Sequence, residues 1–326
     1  MSMWKKWLGE LTSSQLSSLK TELGMSNNSS DISIVRTPIE DFMYTSTPPY
    51  VDVFNLMPLY HKLMFNENLL VRGPKGDGKS LSLIALAAST GTPLVTVPCS
   101  EDIKKKDLIG SFFFKGNETP FMLGSMATAI DIANECGRAI IAFEEVNALT
   151  PQTQKQLNEF LDFRKSVSIP QAGKTYRLKE TAQVWAVGLM NPSLYGGTYD
   201  LNEDFRSRWV EVEIGYPTQA QEKVILEANV PIPIGMDVAI YDALIQGCTM
   251  LASETREKRN SLSYALSTRD VVKLLKTILL LGTEAALQLL FHKFEGKDKE
   301  TIAARLSSSF AGFKAKEKWN SAKAAV

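Results

Sequence analysis

Asn68-Leu-Leu-Val-Arg-Gly73-Pro-Lys-Gly76-Asp-Gly78-Lys79-Ser80 reads as a short strand, a glycine-rich turn and the start of a helix. Leu69 to Val71 are apolar, as in a buried strand, and the Leu/Ala-rich run from Leu81 to Ala88 continues as a helix. Gly73, four residues, then Gly78-Lys79-Ser80 fits G-x-x-x-x-G-K-[ST] in the context that pattern requires. Glycines let backbone N–H groups turn inward around a phosphate chain. The helix start adds unpaired donors and the positive end of a dipole. Gly73, Pro74, Lys75, Gly76, Asp77, Gly78 and Leu81 are therefore expected to line a phosphate site. Lys79 supplies a point charge there, and the Ser80 hydroxyl is expected to ligate Mg²⁺.

Working outward, 326 residues suit one large domain and a smaller one. The chain is 44% hydrophobic and 22% charged, an ordinary globular balance. Lys+Arg and Asp+Glu both number 36, so no global field draws the chain to nucleic acid or membrane. A local basic patch remains compatible with that balance. Cys99, Cys136 and Cys248 lack disulfide or metal-ligand spacing and read as reduced, small apolar residues of a cytoplasmic protein. With only His61 and His292, a histidine-rich metal site is not expected. No apolar run reaches the ~18 residues of a membrane span.

Trp4, Trp7, Leu8, Leu11, Leu16, Leu19 and Leu23 recur at spacings that predict an amphipathic helix over 4–23, followed by a linker. Two roles stand open for it: packing on its own domain, or docking a partner or neighbouring subunit. A short helix over 53–65 leads into the first strand. Further buried strands are expected over 93–97, 139–143, 184–187 and 209–214, alternating with helices, which argues for a parallel α/β sheet. Thr150-Pro151 supplies an N-cap and a proline at the first helical position. Residues 167–178 read as a β-hairpin. From Thr218 the pattern turns all-helical, with helices over 219–229, 237–252, 268–281 and 283–294. The expected division is 1–35, N-terminal helix and linker; 36–217, α/β nucleotide-binding domain; 218–300, helical lid; 301–326, a basic tail.

A second acidic motif falls where such a sheet would place it. Ile140-Ile-Ala-Phe-Glu144-Glu145 ends a buried strand ~65 residues after the glycine-rich loop, and parallel strand ends gather at one edge. Glu144 is assigned to the Mg²⁺ side and Glu145 to polarising an attacking water. Glu144 is one methylene longer than the usual Asp. Asn191 ends the fourth strand and would hold water or the γ-phosphate. Arg206 and Arg208 precede the fifth strand, and arginines stabilise charge on a transferred phosphoryl group.

The order of P-loop, Glu144-Glu145, hairpin, Asn191-Pro192, Arg206-x-Arg208 and Ser267-Thr-Arg269 resembles that of AAA+ ATPases. Within that class the chain is similar to the MoxR family, nearest the CbbQ, NirQ and NorQ branch. Pro93-Leu-Val-Thr-Val-Pro-Cys99, Asp107-Leu-Ile-Gly110, the insertions 111–124 and 167–178, Gly215-Tyr-Pro217 and Ser267-Thr-Arg269 carry that similarity over about residues 40–295. The resemblance implies a five-stranded parallel sheet sandwiched by helices, a helical lid, and two insertions, one at helix 2 and a hairpin before sensor 1. It further implies a ring, usually a hexamer, with ATP and Mg²⁺ between subunits. Asn191 would be sensor 1 and Arg269 sensor 2. Arg208 would be the arginine finger, with Arg206 sharing or replacing it. The activity the resemblance implies is ATP hydrolysis that remodels a client, with a von Willebrand A-type protein and a metalloenzyme complex as the two client classes it suggests. Phe112, Phe113 and Phe114 would touch the client or pack on their own domain. Two alternatives stand beside this: a nucleotide-dependent assembly module that hydrolyses slowly, and an insertion-bearing nucleic-acid motor.

Overall fold

The structure is a computed structural model that describes residues 32–47, 49–64, 67–192, 199–257, 262, 264–294 and 298. The expected helix at 4–23, Pro48 and the tail from 301 lie outside the described residues.

In chain order the elements are β1 (Ile34–Val35), α1 (Leu56–Leu63), β2 (Leu69–Arg72), α2 (Lys79–Thr90), β3 (Leu94–Pro98) and α3 (Lys105–Ile109). There follow β4 (Gly110–Phe112), β5 (Phe121–Leu123), α4 (Ser125–Cys136), β6 (Arg138–Glu144), α5 (Pro151–Leu161), β7 (Ser166–Ile169) and β8 (Lys174–Arg177). The chain continues through β9 (Gln183–Met190), α6 (Glu203–Arg206) and β10 (Val210–Glu213) into α7 (Gln219–Asn229), α8 (Val238–Glu257), α9 (Thr268–Leu281) and α10 (Thr283–Phe291).

Five strands form one all-parallel sheet in the order β10-β2-β9-β6-β3. The near-continuous apolar runs of β2, β6 and β9 suit strands covered on both faces. Alternation divides each run between two cores. Ala139, Ile141 and Phe143 of β6 face a cluster with α4 and α5. Ile140 and Ala142 face the other cluster with α1 and α2. Edge strand β10, Val-Glu-Val-Glu, alternates half-buried valines with exposed glutamates, as expected where only one face is covered. Gly188 of β9 makes room for a bulky neighbour: a Cβ there would stand 2.9 Å from Leu70 and 3.4 Å from the Trp209 ring. Trp209 in turn meets Phe205 and Phe143 edge-to-face, with centroids 5.7 and 6.4 Å apart.

Helices α7–α10 share a core of their own, including Leu226, Leu244, Cys248, Leu251, Val271, Leu275 and Phe294. Their starts are defined by side chains. Thr218 and Ser267 each form a capping box, with Gln221 and Asp270. Thr150 caps α5 by accepting from Thr153 N at 3.3 Å.

Both insertions add short strands and place side chains in the core. Residues 111–124 contribute the antiparallel pair β4–β5, to which β1 adds a parallel strand. Ile34 and Val35 thus enter a sheet just before residue 36, the expected start of the α/β domain. Phe112 is 39% exposed and packs edge-to-face on Phe121, while Phe114 is 88% exposed. In the β7–β8 hairpin Val167, Ile169 and Ala172 belong to the same core as Phe121 of the first insertion. Cys99 and Cys248 are buried as expected of apolar fillers, but Cys136, last residue of α4, is exposed. No helix among the described residues is long and apolar enough to cross a membrane.

Candidate functional site: a phosphate cradle at the strand ends

A cavity of about 430 Å³ opens at the C-terminal edge of the sheet. Its floor is the loop between β2 and α2. Gly76 is in the left-handed region (φ +77°), and a Cβ on it would stand 2.7 Å from Ser267 Oγ, so only glycine lets α9 approach. Arg269 N donates to Gly76 O at 3.2 Å, fastening the start of α9 to the loop. Lys75 through Leu81 line the cavity, together with Glu144, Glu145, Asn191 and Arg269. Gly73 and Pro74 lie behind it, and their carbonyls accept from Lys79 Nζ at 2.8 and 2.6 Å.

Ser80 is exposed at the first turn of α2, in reach of solvent and any cation. Glu144 is half-buried at the end of β6. Glu145 follows in the left-handed region (φ 54°), an uncommon conformation for a residue with a side chain, and is exposed toward the cavity. Asn191 Nδ2 approaches Glu145 Oε1 at 3.5 Å, a loose contact. Asn147, buried behind them, donates from Nδ2 to Asn191 O at 3.2 Å and so fixes the end of β9. Burial, Glu144 and Glu145 push the neighbouring Cys99 thiol up to about 12, which keeps it protonated. Burial lowers Lys79 below the ordinary lysine value, with Asp77 opposing that shift. Burial likewise raises Asp77, with Lys79 opposing.

The remaining wall was not legible as a site. Tyr50, Val51, Val53 and Phe54 from the segment before α1 face Ile225, Asn229 and Val272 of the helical region. Asp52 organises that segment. Its carboxylate accepts from Leu56 N and Met57 N, both at 2.8 Å, and from the Tyr50 hydroxyl at 3.0 Å. Burial, with Asp52 adding, pushes the Tyr50 phenol up, so it stays a donor. The available signal was an Asp four residues before the observed helix start at Leu56, with aromatics on both sides, in a stretch whose end at Val53 and Phe54 was expected to be helical.

Arg206 and Arg208 are not brought to this cavity. They flank the N-terminal end of β10, beside the start of β2, whereas the glycine-rich loop follows the far end of β2. Arg206 pairs with Glu211 and is 59% exposed. Arg208 Nη1 donates to Asp204 Oδ1 at 2.7 Å.

Residues 68–209 match the AAA domain, dynein-related subfamily. The matched segment runs from the residue before β2 to the residue before β10, and the five-stranded parallel sheet flanked by helices matches the fold of AAA+ ATPases. An uncharacterized protein of Staphylococcus haemolyticus (strain JCSC1435) is 27% identical over 228 residues, 68% of this chain and 82% of its own length. An uncharacterized protein of Staphylococcus aureus (strain bovine RF122 / ET3-1) is 29% identical over 156 residues, 46% of this chain. That match spans only 56% of the S. aureus protein. Among solved structures, a candidate ATPase from Cytophaga hutchinsonii aligns with a TM-score of 0.42 at 16% identity, covering 81% of this chain and 83% of its own. NtrX from Brucella abortus aligns with a TM-score of 0.44 at 18% identity, covering 72% and 52%.

Proposed function

We propose that this protein binds Mg-ATP in the cavity at the sheet edge and hydrolyses it in an oligomeric ring to remodel a partner protein. The observation that carries this reading is the convergence of Lys79, Ser80, Glu144, Glu145, Asn191 and Arg269 on one cavity from four separate parts of the chain. The residues suit the ligand. A glycine-rich loop runs into a helix N-terminus, an exposed hydroxyl and a carboxylate can hold a divalent cation, and an apolar and aromatic wall can take a base. When bound, Mg²⁺ supplies neutralisation of charge on the phosphate oxygens.

In this reading Lys79 and the N–H groups of the loop hold the phosphates, and Ser80 and Glu144 hold the metal. Glu145 orients the attacking water and accepts its proton, with Asn191 beside it. Arg269 reports the phosphates to the helical region, which serves as a lid beginning near residue 218. Arg208 lies at the wrong end of β10 for its own subunit's cavity, so it acts on the ATP of a neighbour, with Arg206 beside it. Loss of contacts on hydrolysis then changes lid and subunit angles. We place the protein in the MoxR family near the CbbQ branch. The client is proposed to be a protein of the von Willebrand A type, touched by the insertion that carries Phe114.

Phosphate release under saturating Mg-ATP tests the activity. The wild type is expected to turn over, and Glu145→Gln to bind ATP but lose turnover by at least about 100-fold. A wild type that neither assembles nor releases phosphate with its client present would end this reading. A slow-hydrolysing assembly module is the second reading, favoured by the longer Glu144 side chain. It requires ATP-dependent assembly whose extent is the same in wild type and Glu145→Gln.

A further inference from the structure

Lys79 is the cation that the proposed function assigns to the phosphates, yet the chain already surrounds it. Its Nζ donates to Gly73 O (2.8 Å), Pro74 O (2.6 Å), Asp77 Oδ1 (3.1 Å) and Asn191 Oδ1 (3.3 Å). An ammonium has three N–H groups, so these acceptors leave none free. One of them carries charge. The Asp77 side chain is 1% exposed and that of Lys79 8%, making this a buried ion pair inside the glycine-rich loop itself.

Asp77 has little freedom to leave. A Cβ placed on Gly73 would lie 2.6 Å from Asp77 Oδ2, so the carboxylate is wedged against the backbone of its own loop. Oδ2 has no well-aligned hydrogen-bond partner among the described residues. The backbone N–H of Lys79, a donor that a phosphate would use, instead favours the Asp77 carboxylate. Burial of an acid whose second oxygen is unsatisfied costs stability, and nothing in the packing of the loop requires the charge. The other formal charges acting on Lys79 are Glu145, which draws on it, and Arg269, which repels it.

We propose that Asp77 is a resident rival of the phosphates for Lys79, and that it sets how weakly this loop holds a triphosphate. The inference rests on the nucleotide-binding reading and goes beyond it. A phosphate oxygen must take the ammonium from a buried carboxylate and then sit close to that carboxylate in a poorly screened site. The opposition scales with the negative charge brought next to Lys79. It is largest for a triphosphate, smaller for a diphosphate and absent for a monophosphate whose single phosphate stays away from the lysine.

The test titrates the full chain with Mg-ATP, Mg-ADP and AMP by calorimetry, as wild type, Asp77→Asn and Asp77→Thr. Thermal melts confirm that each is folded, and the two replacements back each other should one fail to fold. Both variants are expected to bind Mg-ATP about tenfold more tightly, a gain of about 1.4 kcal/mol. Mg-ADP should gain less, and AMP should be unchanged. Unchanged or weaker Mg-ATP binding by folded variants would overturn the proposal and leave the nucleotide site standing. An equal gain for all three nucleotides would also overturn it, since the effect would not follow phosphate charge. If wild type and variants alike bind none of them, the nucleotide reading falls and this inference with it.

Discussion

Strand β2 has a lysine at each end, and the two are treated in opposite ways. At the C-terminal end Lys79 is buried beside a carboxylate and capped by carbonyls, so its charge is kept but committed. At the N-terminal end Lys165 is half-buried. It bonds Asn68 Oδ1 and lies 5.7 Å from the Phe160 ring centre. With no carboxylate in contact, burial drives it down to about 8, and Asp162 and Glu67 only partly oppose this. Burial lowers both lysines, and the contrast is that Lys79 has a carboxylate in contact to oppose the shift while Lys165 does not. It also separates two chemistries. Four strand residues put roughly 13 Å between the glycine-rich loop and the Arg208 end of the β2–β10 pair, so one subunit cannot apply both to one ligand.

Each end can be broken on its own. Lys79→Ala is expected to abolish nucleotide binding, measured by calorimetry, because nothing else in the cavity supplies a fixed cation at that point. Arg208→Ala should leave Mg-ATP binding within about threefold while lowering turnover by about 1,000-fold or more. Mixing these two inactive variants should restore phosphate release, since one provides the loop and the other the arginine. A mixture that stays dead would break the division between the two ends. Asn68→Ala removes the bonds to Leu161 O (2.8 Å) and Arg208 O (2.9 Å). It should cost about 1–3 kcal/mol in chemical denaturation, with turnover falling more than nucleotide affinity.

The smallest effect is a pH slope at Lys165. Between about 8 and the ordinary lysine value of 10.5 the unfolded chain holds a proton that the folded chain has released, so stability rises with pH across that window. Below 8 both states are protonated and the contribution is flat. Lys165→Met should remove a rise of up to about 1 kcal/mol per pH unit, seen by comparing melts at two pH values within the window.

The sheet was legible because its strands carry long apolar runs: residues 139–143 alternate between two cores, and each run is flanked by a helix of clear period. The four C-terminal helices were legible for the same reason, helped by Thr218, Ser267 and Gly282 at their starts. The polar ends of β6 and β9 could be placed because parallel strands share an edge. The inward turn of Asp77 could not be read, since a loop pattern fixes backbone positions and says nothing of where an intervening side chain points. The two residues of β1 are too few to show a period. The wall built on Tyr50 to Phe54 depends on Asp52 replacing a missing N-cap, which is a tertiary fact. Burial of Lys165 likewise depends on Phe160 and Asn68, which are distant or unremarkable in sequence.

The alternating strand β10 has a consequence for how copies of this chain meet. Glu211 and Glu213 stand outward along the open border of the sheet. Glu211 is paired with Arg206, so in two such borders brought side by side it is chiefly the Glu213 carboxylates that would oppose each other, which discourages strand-to-strand continuation at this edge. Contacts between side-chain surfaces, by comparison, can tilt and slide in a way that a shared backbone ladder cannot.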